Sequence, residues 1–248
     1  MAFRSTIWLA ALLSAAFAPS APASDTPRAV VELFTSQGCS SCPPADRVLA
    51  EFARERDVVA LTLPVDYWDY LGWKDTLASP VFSARQRAYG YVRGDRQVFT
   101  PQMVVNGGPV CIGSDREQVE EKIVEASTGD RLPVAIRLAE EGAMLTIAVA
   151  GQDGRPDVPA AAEVWVLPVM REREVTITKG ENRGKLMRYV NVVRSLLRIG
   201  SWSGAPARYE IPLATARPPE ADSYVVLLQE TRGVKPGRIL GAAKGPGL

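Results

Sequence analysis

Apolar positions in the first half of the chain fall into two patterns. Residues 29–34 (AVVELF) are apolar apart from Glu32, and residues 58–63 (VVALTL) are β-branched and leucine-rich between Asp57 and Pro64. Both read as buried strands. Between them Ala45, Val48, Leu49, Phe52 and Ala53 recur at helical spacing, which predicts a helix joining two parallel strands. Residues 65–75 (VDYWDYLGWKD) have no clean period and read as a loop rich in aromatic and acidic side chains. Ser79 and Pro80 have the chemistry of a helix cap and first turn, and Phe82, Ala84, Arg85, Ala88 and Tyr89 carry the pattern to about Tyr91. Residues 98–113 hold two short apolar runs joined at Asn106-Gly107, a hairpin signal. Ser114 or Asp115 caps a last helix with Val119, Ile123, Val124 and Ala126.

The predicted order is β-α-β-α-β-β-α, the thioredoxin order, with right-handed crossovers placing helices on both faces of a mixed sheet. Beyond Gly129 the pattern changes. Residues 134–138, 144–150, 163–167, 187–193 and 224–229 read as strands, with turns at Glu141-Gly142 and Asp153-Gly154. Short strands without long helices predict a β-rich, sandwich-like second domain. The fold expected is therefore α/β, a thioredoxin-like domain over residues 24–130 followed by a β-rich domain over 131–248, with the boundary near residues 128–132.

The first residues change the cellular picture. One Arg precedes an apolar run over residues 7–17, and Ala21-Pro22-Ala23 has the small residues of a cleavage site, so residues 1–23 read as a signal peptide. The run is shorter than the roughly 20 apolar residues that span a bilayer. A periplasmic or secreted protein with no membrane contact after cleavage is expected, in a compartment where disulfides persist. The net charge of +1 gives no electrostatic reason to expect nucleic acid. Lys179, Arg183, Lys185, Arg188, Arg194 and Arg198 are interleaved with Glu172, Glu174 and Glu181, the pattern of a solvated face.

The chain has three cysteines and no histidine. Three cysteines are too few for a disulfide framework, and without imidazole the usual general base and commonest metal ligand are missing. No metal or other cofactor is expected. Cys39 and Cys42 are separated by two serines between a predicted strand and a predicted helix, the context of a thioredoxin-like dithiol. Pro43 and Pro44 lack N–H groups and belong in the first helical turn, which would leave Cys39 just ahead of the helix and facing its unsatisfied amides. Cys39 is expected to be the nucleophile and Cys42 the residue that resolves the mixed disulfide. The other reading of the pair is a structural staple.

Thr100-Pro101, just before a predicted strand, reads either as an edge or entry proline or, in a thioredoxin-like fold, as the cis proline that lies against the cysteines and lets Thr100 offer its backbone to a peptide. Glu32, an acid inside an apolar strand, is either a buried candidate proton carrier with a carboxyl raised by desolvation or a solvent-facing acid; Asp66 is its rival. Tyr67, Trp68, Tyr70 and Trp73 could supply an apolar platform for substrate, with Trp68, Tyr67 and Trp73 as the contact residues. Cys111 reads as a small buried apolar residue.

The segments VELFTSQGCSSCPPAD at residues 31–46, VDYWDYLGWKD at 65–75 and TPQMVVNG at 100–107 resemble the secreted bacterial family labelled domain of unknown function 1223. So do GENRGKL at 180–186 and YVNVVR at 189–194. The family is placed in the thioredoxin-like superfamily, so the resemblance implies that fold over nearly the whole mature chain. Many members carry His where this chain has Pro64, and a mechanism built on that imidazole does not transfer. The function expected is exported thiol–disulfide oxidoreduction on protein or small-molecule thiols or disulfides, with an unidentified electron donor or acceptor. The alternative is a non-catalytic secreted binding or accessory protein whose disulfide is structural.

Overall fold

A computed structural model describes residues 26–126, 132–159 and 161–248. The expected signal peptide, and most of the expected boundary between domains, lie outside the described residues. The first strand, β1 (Ala29–Thr35), is buried at every position and pairs in parallel with β2 (Val58–Pro64), from Ala29↔Val58 to Thr35↔Pro64. Full burial explains the continuous apolar runs, because helices cover both faces of a parallel pair. Helix α1 (Pro43–Phe52) puts Ala45, Leu49 and Phe52 against one face. Helix α2 (Pro80–Arg93) puts Phe82 and Tyr89 against the other. The Ser79 side chain accepts the Val81 N–H at the start of α2, and Gly94, at φ +86°, ends it.

Strand β3 (Gln102–Val105) runs antiparallel to β1 and pairs with β4 (Val110–Ile112). The turn between them has positive φ at Asn106 and Gly107, as the Asn-Gly pair anticipates. Helix α3 (Arg116–Ala126) joins α1 on its face, with Val119 and Ile123 buried.

The second half takes a different form from a free-standing sandwich. β5 (Ile136–Glu141), β6 (Met144–Val149) and β10 (Ala207–Pro212) form a three-stranded sheet. The other strands enlarge the first sheet: β7 (Ala162–Thr176), β8 (Leu186–Val193), β9 (Leu197–Trp202), β11 (Ser223–Arg232) and β12 (Lys235–Lys244). Its order is β12-β11-β7-β8-β2-β1-β3-β4, with β9 paired to β7. The chain is thus mixed α/β, with one large mixed sheet and a small second one. The strands expected at 163–167 and 224–229 are longer, fifteen residues in β7 and ten in β11, and β9, β10 and β12 are strands beyond those expected. They alternate faces: Val164, Val166, Val226 and Leu228 pack against Ile136, Leu145 and Ile147 of the small sheet, while Leu167, Val169, Val225 and Leu227 share a core with Phe34, Leu61 and Phe82.

The seam of the large sheet is narrow. β8 meets β2 in parallel at one residue pair, Thr62↔Val192. Two side chains extend it, Thr62 Oγ1 donating to the Val190 carbonyl at 2.6 Å and Asn191 Nδ2 to that of Ala60 at 2.9 Å. The far end of the sheet returns to the start. The Ile239 N–H of β12 donates to the Asn106 carbonyl at 2.9 Å, and a Cβ on Gly107 would lie 2.5 Å from the Gly237 carbonyl oxygen. Glycine is required there for close approach as well as for its φ.

Candidate functional site

Cys39 and Cys42 leave the C-terminal end of β1 and form a disulfide, with Cα atoms 5.4 Å apart. Cys42 is the N-cap of α1, with Pro43 and Pro44 in its first turn. The next two amides, of Ala45 and Asp46, both donate to the Cys42 carbonyl, at 2.9 and 3.1 Å. The expectation that unsatisfied amides face Cys39 therefore fails: the prolines carry no N–H and the following donors are taken. The Ser41 hydroxyl lies 3.4 Å from Cys39 Sγ.

Both cysteines are buried, Cys39 to 1% exposure and Cys42 to 0%, while Ser40 and Ser41 between them are exposed. Asn182, in the loop between β7 and β8 and itself 0% exposed, donates from Nδ2 to the carbonyls of Gln37 and Cys39, both at 2.9 Å.

The Phe34↔Gln102 pair brings Thr100 and Pro101 to the same end of the sheet as the cysteines, and the Thr100-Pro101 peptide is cis. Trp68 ties that segment to the disulfide loop. Its Nε1–H donates to Thr100 Oγ1 at 2.8 Å, and its Cβ lies 3.0 Å from where a Gly38 Cβ would be. Trp73 donates to Gln37 Oε1 at 2.8 Å, and Tyr67 to Gln86 Oε1 at 3.1 Å. All three residues are half-buried; Trp68 and Trp73 hold the disulfide loop while Tyr67 is tied to α2, whereas Tyr70 projects at 79% exposure.

Glu32 lies elsewhere. Strand alternation turns it to the α2 face, away from α1, where Arg85 Nε donates to it at 2.7 Å and the Tyr89 hydroxyl at 2.6 Å. Gln229 of β11 completes this buried network through Arg85 and Tyr89. Glu32 is an ion-pair partner that ties β1 to α2 and β11. Asp66 accepts the Ser83 hydroxyl.

The carboxyls on the disulfide's side are Asp46 and Asp75. Burial pushes Asp46 up to about 7, opposed by the hydroxyl of Thr35, which donates to Oδ1 at 2.9 Å, and reinforced by the charge of Asp75. Its other oxygen, Oδ2, is buried without a hydrogen-bond partner among the described residues. Burial likewise raises Asp75 to about 6, although it accepts the amides of Gln37, Leu77 and Ala78. One signal for Asp46 was available in the sequence: it shares the inward face of α1 with Ala45, Leu49 and Phe52, and stands one helical turn after Cys42. Asp46 also lines a groove of about 760 Å³ beside α1, together with Arg47, Arg54, Arg171, Arg188 and Asn191. Cys111 is buried, and that burial pushes its thiol up to about 11, which keeps it inert. Among the described residues no three His, Cys, Asp or Glu side chains converge to hold a metal.

These features define a mixed α/β protein with a buried Cys-x-x-Cys disulfide at the same sheet end as a cis proline, and with two raised carboxyls on the disulfide's side. The family model described as protein of unknown function (DUF1223) matches residues 30–229, and the chain belongs to that family. It is similar to a protein of Agrobacterium tumefaciens known from its crystal structure, at 33% identity and a TM-score of 0.79, over 90% of this chain and 96% of that one. Among curated proteins none matches.

Proposed function

We propose that this protein is an exported thiol–disulfide oxidoreductase acting through Cys39 and Cys42 on protein or small-molecule thiols. The observation that carries the reading is the disulfide at the N-terminus of α1, at the sheet end where the cis Thr100-Pro101 segment also lies. The row β2-β1-β3-β4, with β1 and β2 parallel and β3 antiparallel to both of its neighbours, supports a thioredoxin-like reading of the first half. The apolar leader before Ala21-Pro22-Ala23 supports export.

In the oxidising direction a substrate thiolate attacks Cys39 Sγ, the S–S bond breaks, and Cys42 leaves as a thiolate that takes up a proton. A second substrate thiol then attacks the mixed disulfide and releases Cys39, so two electrons and two protons pass from substrate to protein. A separate redox partner resets the pair, and the reverse sequence reduces a substrate. Asp46, one turn from Cys42 and with a proton affinity near neutrality, is suited to giving and taking the proton of that thiolate.

Burial of both cysteines favours the second reading, a structural disulfide. Incubation in glutathione buffers of graded potential, acid quenching and alkylation separates the two. Reversible reduction of Cys39 and Cys42 in the folded protein is expected. A pair that stays oxidised until urea unfolds the chain would leave a staple.

A further inference from the structure

The sheet leaves one element reaching beyond it. β11 accompanies β7 only as far as Val169, and β8 pairs with β2 at Val192 alone, with side-chain bonds at Val190 and Asn191 extending that seam. Beyond these points β7 and β8 pair with each other alone, from Met170↔Val192 to Thr176↔Leu186. They form a two-stranded arm closed by residues 177–185. A lone two-stranded ribbon is marginal in water, so the arm's position depends on where it rests. It rests on the site. Ile177, Met187, Tyr189 and Val192 pack on Leu77 with Trp73 beside them, and a Cβ on Gly180 would lie 3.3 Å from that of Trp73. At the tip, Asn182 gives Nδ2 to the carbonyls of Gln37 and Cys39 and accepts Lys185 Nζ on Oδ1 at 2.8 Å. That lysine fixes which way the amide points, so both N–H groups face the disulfide loop.

We propose that this arm is a latch on the disulfide and that Asn182 is the positioning residue that holds it shut. The latch rests for its purpose on the oxidoreductase reading, but it is observable without it. With the arm down, Cys39 is 1% exposed. Lifting the arm's outer end, about the seam where Val190 and Asn191 stay bonded to β2, breaks the two Asn182 hydrogen bonds and the apolar contact of Ile177 and Met187 with Leu77, and leaves the large cores intact. Local opening of this kind costs far less than unfolding. The loop residues GENRGKL at 180–186, which the redox chemistry itself does not use, thereby acquire a role: Gly180 permits close packing, Asn182 clamps, and Lys185 orients the clamp.

The test reduces the oxidised protein with dithiothreitol. A dithiothreitol thiolate attacks Cys39 Sγ, Cys42 leaves and is protonated, and the second dithiothreitol thiol expels Cys39 while closing a cyclic disulfide. The rate is followed by quenching and alkylation for wild type, for Asn182→Ala, and for Leu145→Ala in the small sheet, which controls for general loss of stability. Asn182→Ala is expected to react at least about tenfold faster than that control, because it loses two hydrogen bonds that only the latched form makes. An advantage of less than about threefold overturns the latch. Wild type supplies a measurement that survives a misfolded variant. Its rate is expected to rise with urea much less steeply than global unfolding does; an equal dependence means that reductant reaches the sulfur only through the unfolded chain, and the latch is refuted. If Asn182→Ala is reduced quickly yet its dithiol fails to re-form a disulfide in oxidised glutathione, the latch stands and the oxidoreductase reading falls.

Discussion

Replacing Asp46 by Asn removes a carboxyl whose proton affinity the fold has shifted, and the consequence for stability changes sign with pH. The unfolded chain ionises this group near 3.8, whereas the folded protein keeps the proton until about 7. Between these values the native state binds the extra proton. The stability contributed by the protonated carboxyl is therefore complete below about 3.8 and is lost as pH rises to about 7. At about 1.4 kcal/mol per pH unit, the charged form is disfavoured by about 4 kcal/mol above neutrality. Asn avoids that cost and keeps the acceptor for Thr35. It also puts an N–H₂ where Oδ2 has no partner among the described residues, which costs about 1–3 kcal/mol. The net expectation is a gain of about 1–3 kcal/mol at pH 8.5 and a loss of similar size at pH 4. Urea unfolding followed by circular dichroism at both pH values measures it. A difference between variant and wild type that stays constant across this range would mean that Asp46 ionises normally, and the proposed proton transfer would lose its basis. If the proposal holds, the same variant slows disulfide exchange at the step that releases Cys42.

Cys39→Ser should abolish exchange while Cys42→Ser accumulates mixed disulfides, read by mass spectrometry under non-reducing conditions; faster labelling of Cys42 than Cys39 in the reduced protein would reverse these roles. Glu32→Ala leaves the Arg85 guanidinium buried without its carboxylate, and a loss of about 3–5 kcal/mol is expected in urea unfolding; a loss below about 1 kcal/mol would mean the network relaxes freely. Gly107→Ala forces a Cβ against the Gly237 carbonyl at a φ of +71°, so destabilisation of more than about 1 kcal/mol is expected, with an unchanged melting temperature as the contrary result. Cys111 should resist alkylation in the native protein at pH 8 and react once unfolded, because its thiol is buried and raised to about 11; rapid native labelling would contradict its burial.

The first half was legible because each element carries a local signature. The apolar runs of β1 and β2, the Ser79-Pro80 start of α2 and the Asn106-Gly107 turn are each decided by neighbouring residues. In the second half β5, β6, β7, β8 and β11 were legible as strands but not in their partners, while β9, β10 and β12, whose segments are interrupted by glycine or charged residues, were not legible as strands. Nothing near Val192 announces that it pairs with Thr62, and Pro168 with the polar stretch after Met170 made a fifteen-residue strand look shorter. The same distinction separates the site residues. Cys39, Cys42 and the Thr100-Pro101 segment stand out by type and position. Glu32 stood out by type, but the face it takes follows from strand alternation against α2 and β11, which only the folded chain reveals. Asp75 and Asn182 sit in loops, where no periodicity tells which side chain will turn inward.

The distance along the chain between the disulfide and the residue that covers it sets an order of events in time. Cys39 precedes Asn182 by 143 residues, and a polypeptide emerges from its amino end. When the strand-and-helix unit around the cysteines has emerged, neither β8 nor the arm exists yet to close over it. The β2 edge waits unpaired for Val192, and the carbonyls of Gln37 and Cys39 wait for Asn182. The last steps of folding both complete the sheet and lay the arm against the disulfide loop, so the pair is assembled by the first half of the chain and covered by the second.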